Sequence, residues 1–250
     1  MNEKNKNLLL RIGSAVVLLP IVIALLAYSV ETSAALMVFV SAVVVWEYYA
    51  ICLTKGSDHI RYLGVLVTAA MPLLFLYLRT PVTFAAVALA GMGLVVVVFT
   101  YFLLMGPLEQ APQKSALVFF GVCYVGFGVG SLAALRGEAE GFRWVLMAVY
   151  LTFGNDAGAY FAGRFLGKHK LYVAVSPNKT WEGFFGGMVA AVVLGVIAAY
   201  TWMPQIQLVD ALGLGIPCSL LGPAGDLCES MLKRAYNVKD SGNIIPGHGG

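Results

Sequence analysis

The chain reads as an all-α protein, a polytopic transmembrane helical bundle, and three observations point there. Of its 250 residues 60% are hydrophobic and only 12% charged, where an ordinary soluble domain carries about 25% charged residues. Its mean hydropathy is +0.83. Apolar runs recur at about the 20-residue length that a helix needs to cross a hydrocarbon core about 30 Å thick. The weaker alternation of a transmembrane barrel is not seen.

The first span is expected at 8–29. Lys4, Lys6 and Arg11 precede it as they would a secretory signal. The run from Ile12 to Tyr28 is long for a signal core, however, and leads almost directly into another apolar segment, so it reads as an uncleaved helix. The second span, 33–53, carries Glu47 after Trp46; the next three are expected at 60–78, 81–105 and 115–135. Three more follow at 142–165, 181–203 and 209–232, making about eight spans within one integral membrane domain, 1–250. Turn signals separate them: Lys55-Gly56-Ser57-Asp58, Arg79-Thr80-Pro81, Gly106-Pro107 and Arg136 to Gly141. No soluble domain or clear repeat is visible. Residues 1–140 hold only membrane helices, whereas 141–250 hold the polar motifs.

Orientation follows from the basic residues. With a cytoplasmic N-terminus, only Arg79, Arg136 and Arg143 of the 16 Lys and Arg fall on the far side, the asymmetry expected of cytoplasmic loops. Cys52, Cys123, Cys218 and Cys228 lie in apolar stretches without metal-ligand spacing and read as buried, inert thiols.

Three polar clusters then face the cytoplasm: Asn155 to Lys170, Ser176 to Gly183, and Asp226 to Gly250. Ionisable groups beside lipid are costly, so such clusters at helix ends suggest chemistry at the membrane surface. In the first, Asp156 lies roughly 13 Å below the helix end at Phe165, at 1.5 Å per residue. Ala159, Tyr160 and Gly163 share its helical face, leaving space beside the carboxylate. It either opens a polar cavity or pairs with a basic residue of a neighbouring helix. In the second cluster Pro177 suggests a rigid turn, and Thr180 suits the cap of the next helix, with free backbone donors and Lys179 at its positive end, where phosphate binds. Interfacial Trp181 after an ordinary cap would look the same. In the third, Gly222, Asp226, Glu229, Ser230 and Lys233 fall on one face. Asp226 suits Mg²⁺, and Lys233 with Arg234 suits phosphate; alternatively Glu229 and Lys233 form an ordinary i,i+4 pair. Arg164, Lys168 and Lys170 suit an anionic headgroup, or simply anchor the protein. Glu47 either lines the same cavity or pairs structurally. His59 and His169 read as isolated surface residues.

Asn155-Asp156 with Ala159-Tyr160 and Gly163-Arg164, then Ser176-Pro177 with Lys179-Thr180 and Glu182-Gly183, then Asp226 to Gly250, resemble in order and spacing the signature of the phosphatidate cytidylyltransferases. The resemblance covers about the last hundred residues and implies a specific activity. CTP and phosphatidate would be converted to CDP-diacylglycerol and pyrophosphate, with Mg²⁺ and a second cation, by a homodimer in a bacterial cytoplasmic membrane or an organelle membrane. It implies catalytic roles for Asp226, Lys233, Lys239 and Asp156, with Asp226 as metal ligand, and substrate contacts from Ser176, Lys179, Thr180, Arg164, Arg234 and His248. Beyond membrane lipids and these substrates no nucleic acid is expected. In the family, His-Gly-Gly is followed by Asp-Arg-x-Asp and a further span, so a ninth span and a second metal ligand are expected beyond Gly250. The 250 residues alone are expected to lack normal activity. Two other readings remain open: an ion-coupled transporter using Glu47, Asp156 and Asp226, and a CTP-dependent enzyme acting on another lipid phosphate or polyprenol.

Overall fold

A computed structural model of the chain describes residues 3–53, 58–77, 81–105, 108–242 and 244. Helices α1 (Glu3–Tyr28), α2 (Val30–Cys52), α3 (Asp58–Tyr77) and α4 (Pro81–Met105) come first. A 3₁₀ turn at Leu108–Gln110 leads into α5 (Ala111–Gly121), a π-helical segment (Val122–Phe127) and α6 (Gly128–Arg136). Then come α7 (Gly141–Phe165), strands β1 (Lys170–Tyr172) and β2 (Ser176–Thr180), α8 (Trp181–Thr201) and α9 (Leu208–Ala235). Among the described residues, each of the eight spans expected within 1–250 is thus helical over most of its length. By length and apolarity, α2, 59–77, 108–136, α8 and α9 can each cross a membrane; α1 and α4 contribute the shorter apolar stretches Gly13–Tyr28 and Gly91–Met105. The chain is an integral membrane protein.

Two expectations need correction. The connection after α7, read as a loop with a rigid turn at Pro177, is an antiparallel hairpin with Lys170 opposite Thr180 and Tyr172 opposite Ser176. Pro177 fits because a two-stranded ribbon has only edge strands, where a missing N–H need not break a ladder. The fifth span is a compound helix, since residues 122–127 take the π form.

The described chain forms two compact units, Met1–Gly141 with Asp240–Gly250, and Phe142–Lys239. In the first, two tyrosines organise the interior. Tyr49 is fully buried, and its hydroxyl donates to the Val118 carbonyl (2.8 Å) while Tyr48 donates to Leu117 (3.1 Å). Those carbonyls lie in the turn before the π segment, and Val118 also accepts from the Val122 N–H, so its carbonyl uses both acceptor positions. Gly64 and Gly121 admit the Tyr49 ring from α3 and α5: a Cβ on either would fall within 2.7 Å of it. At the α1–α2 junction Ser29 and Thr32 form a capping box, which starts α2 three residues before the expected 33. Buried Arg136 donates through Nε to the Leu26 carbonyl and to Ser33 Oγ, each at 3.0 Å. A cation there neutralises the negative end of α1.

The second unit is built around α8. Gly183, Gly187, Ala191, Gly195 and Ala198 are its buried residues, a stripe at mostly four-residue spacing. Small residues let helix backbones approach closely in a membrane, where packing rather than hydrophobicity drives association. On one side, Gly158 of α7 lies against Ala190 and Gly186 of α8, and Gly186 against Ala162. On the other, Gly195 packs on Ala211, and Gly215 of α9 on Ala191 and Val192. Met147, Leu151, Met203, Ile206 and Ala211 fill the end remote from the hairpin. Helices held this closely fix the positions of the polar groups at the other end.

Candidate active site

A cavity of about 450 Å³ opens between α7, the hairpin and the starts and ends of α8 and α9. Its polar lining comes from Asp156 and Arg164 on α7, Asn178, Lys179 and Thr180 on β2, and Asp226 on α9. Ala159, Gly163 and Gly183 supply room beside them, and Leu171, Phe184 and Pro223 form apolar wall. The helical face Asp156-Ala159-Tyr160-Gly163 therefore does border a hollow, as its small residues suggest.

The centre of the site is an ion pair. Lys179 Nζ lies 2.9 Å from Asp226 Oδ2, with the two side chains 29% and 54% exposed. Both are accessible, so either can exchange its partner for a ligand. With Asp156 the cavity presents two carboxylates against that one ammonium, and Arg164, hydrogen-bonded to Tyr160 (2.7 Å), adds a second cation. Among the described residues no group of three or more His, Cys, Asp or Glu forms a metal cluster. Asp226 and Asp156 fit Mg²⁺, which favours oxygen ligands and commonly binds one or two carboxylates, leaving other positions to water and phosphate.

β2 and α8 position Lys179. Thr180 is buried and caps α8 as expected, its Oγ1 accepting from the Gly183 N–H at 3.1 Å. Glu182 then ties this start to the end of α7: its carboxylate accepts from the backbone N–H groups of Lys168 and His169 and lies 2.6 Å from His169 Nδ1. The Trp181 N–H donates to the His169 carbonyl at 2.9 Å. His169 is on the surface but is not isolated. Nothing in the local sequence announces this clamp, because Glu182 in a first helical turn already has a sufficient role opposite the helix dipole.

Other candidate residues lie elsewhere. Lys233 pairs with Glu229 at 2.9 Å, the i,i+4 alternative, and neither lines the cavity. Ser176, Arg234 and Lys239 are also outside its lining; Arg234 and Lys239 are exposed. His248 lies outside the described residues. Glu47 belongs to the first unit, where its Oε1 is buried without a hydrogen-bond partner and faces Gly242, at which a Cβ would overlap the carboxylate. Cys228 is exposed rather than buried, because it lies off the packed face of α9.

Asn155, which begins the first polar cluster, is a packed interior residue. It is 1% exposed, neither amide atom has a hydrogen-bond partner, and it lies against Gly187 of α8 and Gly222 of α9. It occupies the three-helix junction beside Asp156.

The chain is 40% identical over 138 residues to the phosphatidate cytidylyltransferase of Staphylococcus epidermidis, covering 55% of this chain and 52% of that protein. To that of Bacillus subtilis it is 42% identical over 135 residues, 54% of this chain and 49% of the other, and to that of Staphylococcus aureus (strain COL) 39% identical over 138 residues, 55% and 52%. It spans about half the length of the curated relatives it matches. The pattern of the cytidylyltransferase family matches residues 9–250, nearly every residue described above, and the chain belongs to that family.

Proposed function

We propose that the protein transfers the cytidylyl group of CTP to phosphatidate, giving CDP-diacylglycerol and pyrophosphate, as a multi-pass enzyme of a bacterial cytoplasmic membrane with its N-terminus inside. The observation that carries this is the accessible Lys179–Asp226 pair in a cavity shared with Asp156 and Arg164. A triphosphate would take the ammonium of Lys179 and the guanidinium of Arg164; the carboxylates of Asp226 and Asp156 would hold Mg²⁺. Mg²⁺, when bound, supplies charge neutralisation on the phosphates. In the reaction a phosphate oxygen of phosphatidate bonds to the α-phosphorus of CTP, and the bond from that phosphorus to the bridging oxygen breaks. Pyrophosphate leaves with the electron pair. The attacking oxygen is already anionic near neutral pH, so the residues need only orient the two phosphates and stabilise their charge.

The apolar helices have a purpose in this reading, since the acyl chains stay in the bilayer while the headgroup reaches the cavity. The relatives named above are phosphatidate cytidylyltransferases, which favours phosphatidate over a polyprenol phosphate. The resemblance further implies a homodimer and a second cation. The decisive measurement is CTP-dependent pyrophosphate release with phosphatidate and with other lipid phosphates, at the full length of the relatives. Asp226→Asn is expected to abolish Mg²⁺-dependent turnover; a full rate in that variant would overturn the assignment.

A further inference from the structure

The hairpin presents a feature that phosphate chemistry does not require. Five consecutive residues at its tip, Leu171-Tyr172-Val173-Ala174-Val175, are apolar. Tyr172 is 57% and Val173 60% exposed, Ala174 is exposed, and only Leu171 of the five lines the cavity. An exposed run of this length is unfavourable in water unless something covers it.

Its surroundings indicate what does. The base of the hairpin is fixed to the start of α8 by the Lys170–Thr180 pairing, the Trp181–His169 backbone bond and the Glu182 carboxylate. It therefore sits where α7 ends and α8 begins, near exposed Tyr160 and Trp181, residue types enriched at the level of lipid headgroups. Exposed Lys168 and Lys170 flank the apolar tip. An apolar insertion bordered by lysines complements an anionic lipid surface: the apolar part enters the acyl boundary and the ammonium groups meet headgroup phosphates.

We propose that Tyr172 to Val175 is seated in the headgroup layer of an anionic bilayer, making the hairpin a membrane-embedded lip of the cavity. The strand facing the cavity then carries Asn178, Lys179 and Thr180, so a lipid headgroup drawn along the lip arrives at the Lys179–Asp226 pair. The seat stands on the hairpin alone, whereas the lip's role in lipid delivery rests on the proposed activity.

The test places a benzophenone amino acid at Val173 in the full chain, reconstituted in vesicles of phosphatidylethanolamine and phosphatidylglycerol. Irradiation is expected to add the mass of one phospholipid. A cross-link between two copies of the chain, or a chain recovered without adduct, would overturn the seat. A second arm replaces Tyr172 and Val173 together by Asp. Turnover of long-chain phosphatidate in vesicles is expected to fall at least about tenfold, because each carboxylate forced toward lipid costs more than about 1.4 kcal/mol. Turnover of short-chain phosphatidate dispersed in detergent should stay unchanged. Equal losses on both substrates would overturn the delivery role. If the unaltered protein, at the full length of the relatives, turns over neither substrate, the catalytic reading fails, and the cross-link alone decides the seat.

Discussion

Replacing Lys179 by Met would remove one ammonium from the cavity while retaining most of the side chain's volume. Its partner Asp226 is 54% exposed and stays hydrated when left alone, so no buried charge is orphaned. Accessible ion pairs contribute at most about 1 kcal/mol, which shifts the unfolding temperature by only about 4–8 °C even in a unit of about 100 residues. The effect on the reaction should be far larger. A preorganised cation aimed at charge that develops on a phosphate belongs to the class of groups whose loss costs about 10²–10³ in rate. Pyrophosphate release at saturating CTP, measured beside thermal unfolding in detergent, separates the two. A rate within about tenfold of the parent protein, or a loss of activity that tracks unfolding, would refute the assignment of Lys179 to phosphate.

Other predictions concern packing. Gly186→Val should lower stability by about 1–3 kcal/mol through overpacking, because its Cβ would overlap Ala162, whereas Gly93→Ala, mid-helix with open space around it, should raise stability by about 0.4–1 kcal/mol. Tyr49→Phe should cost about 0.5–1.5 kcal/mol, the net worth of one hydrogen bond, since the Val118 carbonyl loses the hydroxyl but keeps the Val122 N–H, read in the same melt. Gly242→Ala should be rescued by Glu47→Ala, since the collision is between these two residues; a cycle of the four proteins should give a coupling of about 0.5–3 kcal/mol, and strictly additive effects would refute the contact.

The helices were legible because apolar runs of membrane length leave few alternatives. Asp156 and Asp226 were legible for the opposite reason: carboxylates in such runs demand an explanation, and both line one cavity. Thr180 was readable as a cap from its place before an apolar run. What escaped was set by contacts distant in sequence. Lys233 pairs with Glu229 one turn away, an alternative that the i,i+4 spacing itself offered. Lys179, by contrast, finds Asp226 47 positions away, and only the folding of β2 beside α9 brings them together. The hairpin was missed because its two strands are three and five residues long, too short for alternation to register against the polar residues around it.

The glycine stripe of α8 makes this site unusually dependent on what is missing. Each glycine in a helix interior costs about 1 kcal/mol of propensity relative to alanine, a penalty that a bilayer tolerates because an unwound backbone there has no water to bond. The distance between the acid on α7 and the acid on α9 is thereby set by hydrogen atoms where methyl groups would otherwise stand. A search for inactivating substitutions should consequently recover alanine and valine in place of Gly158, Gly186 and Gly187 alongside the carboxylates themselves, a class of lesion that removes no chemical group and is repaired only by shrinking the residue opposite.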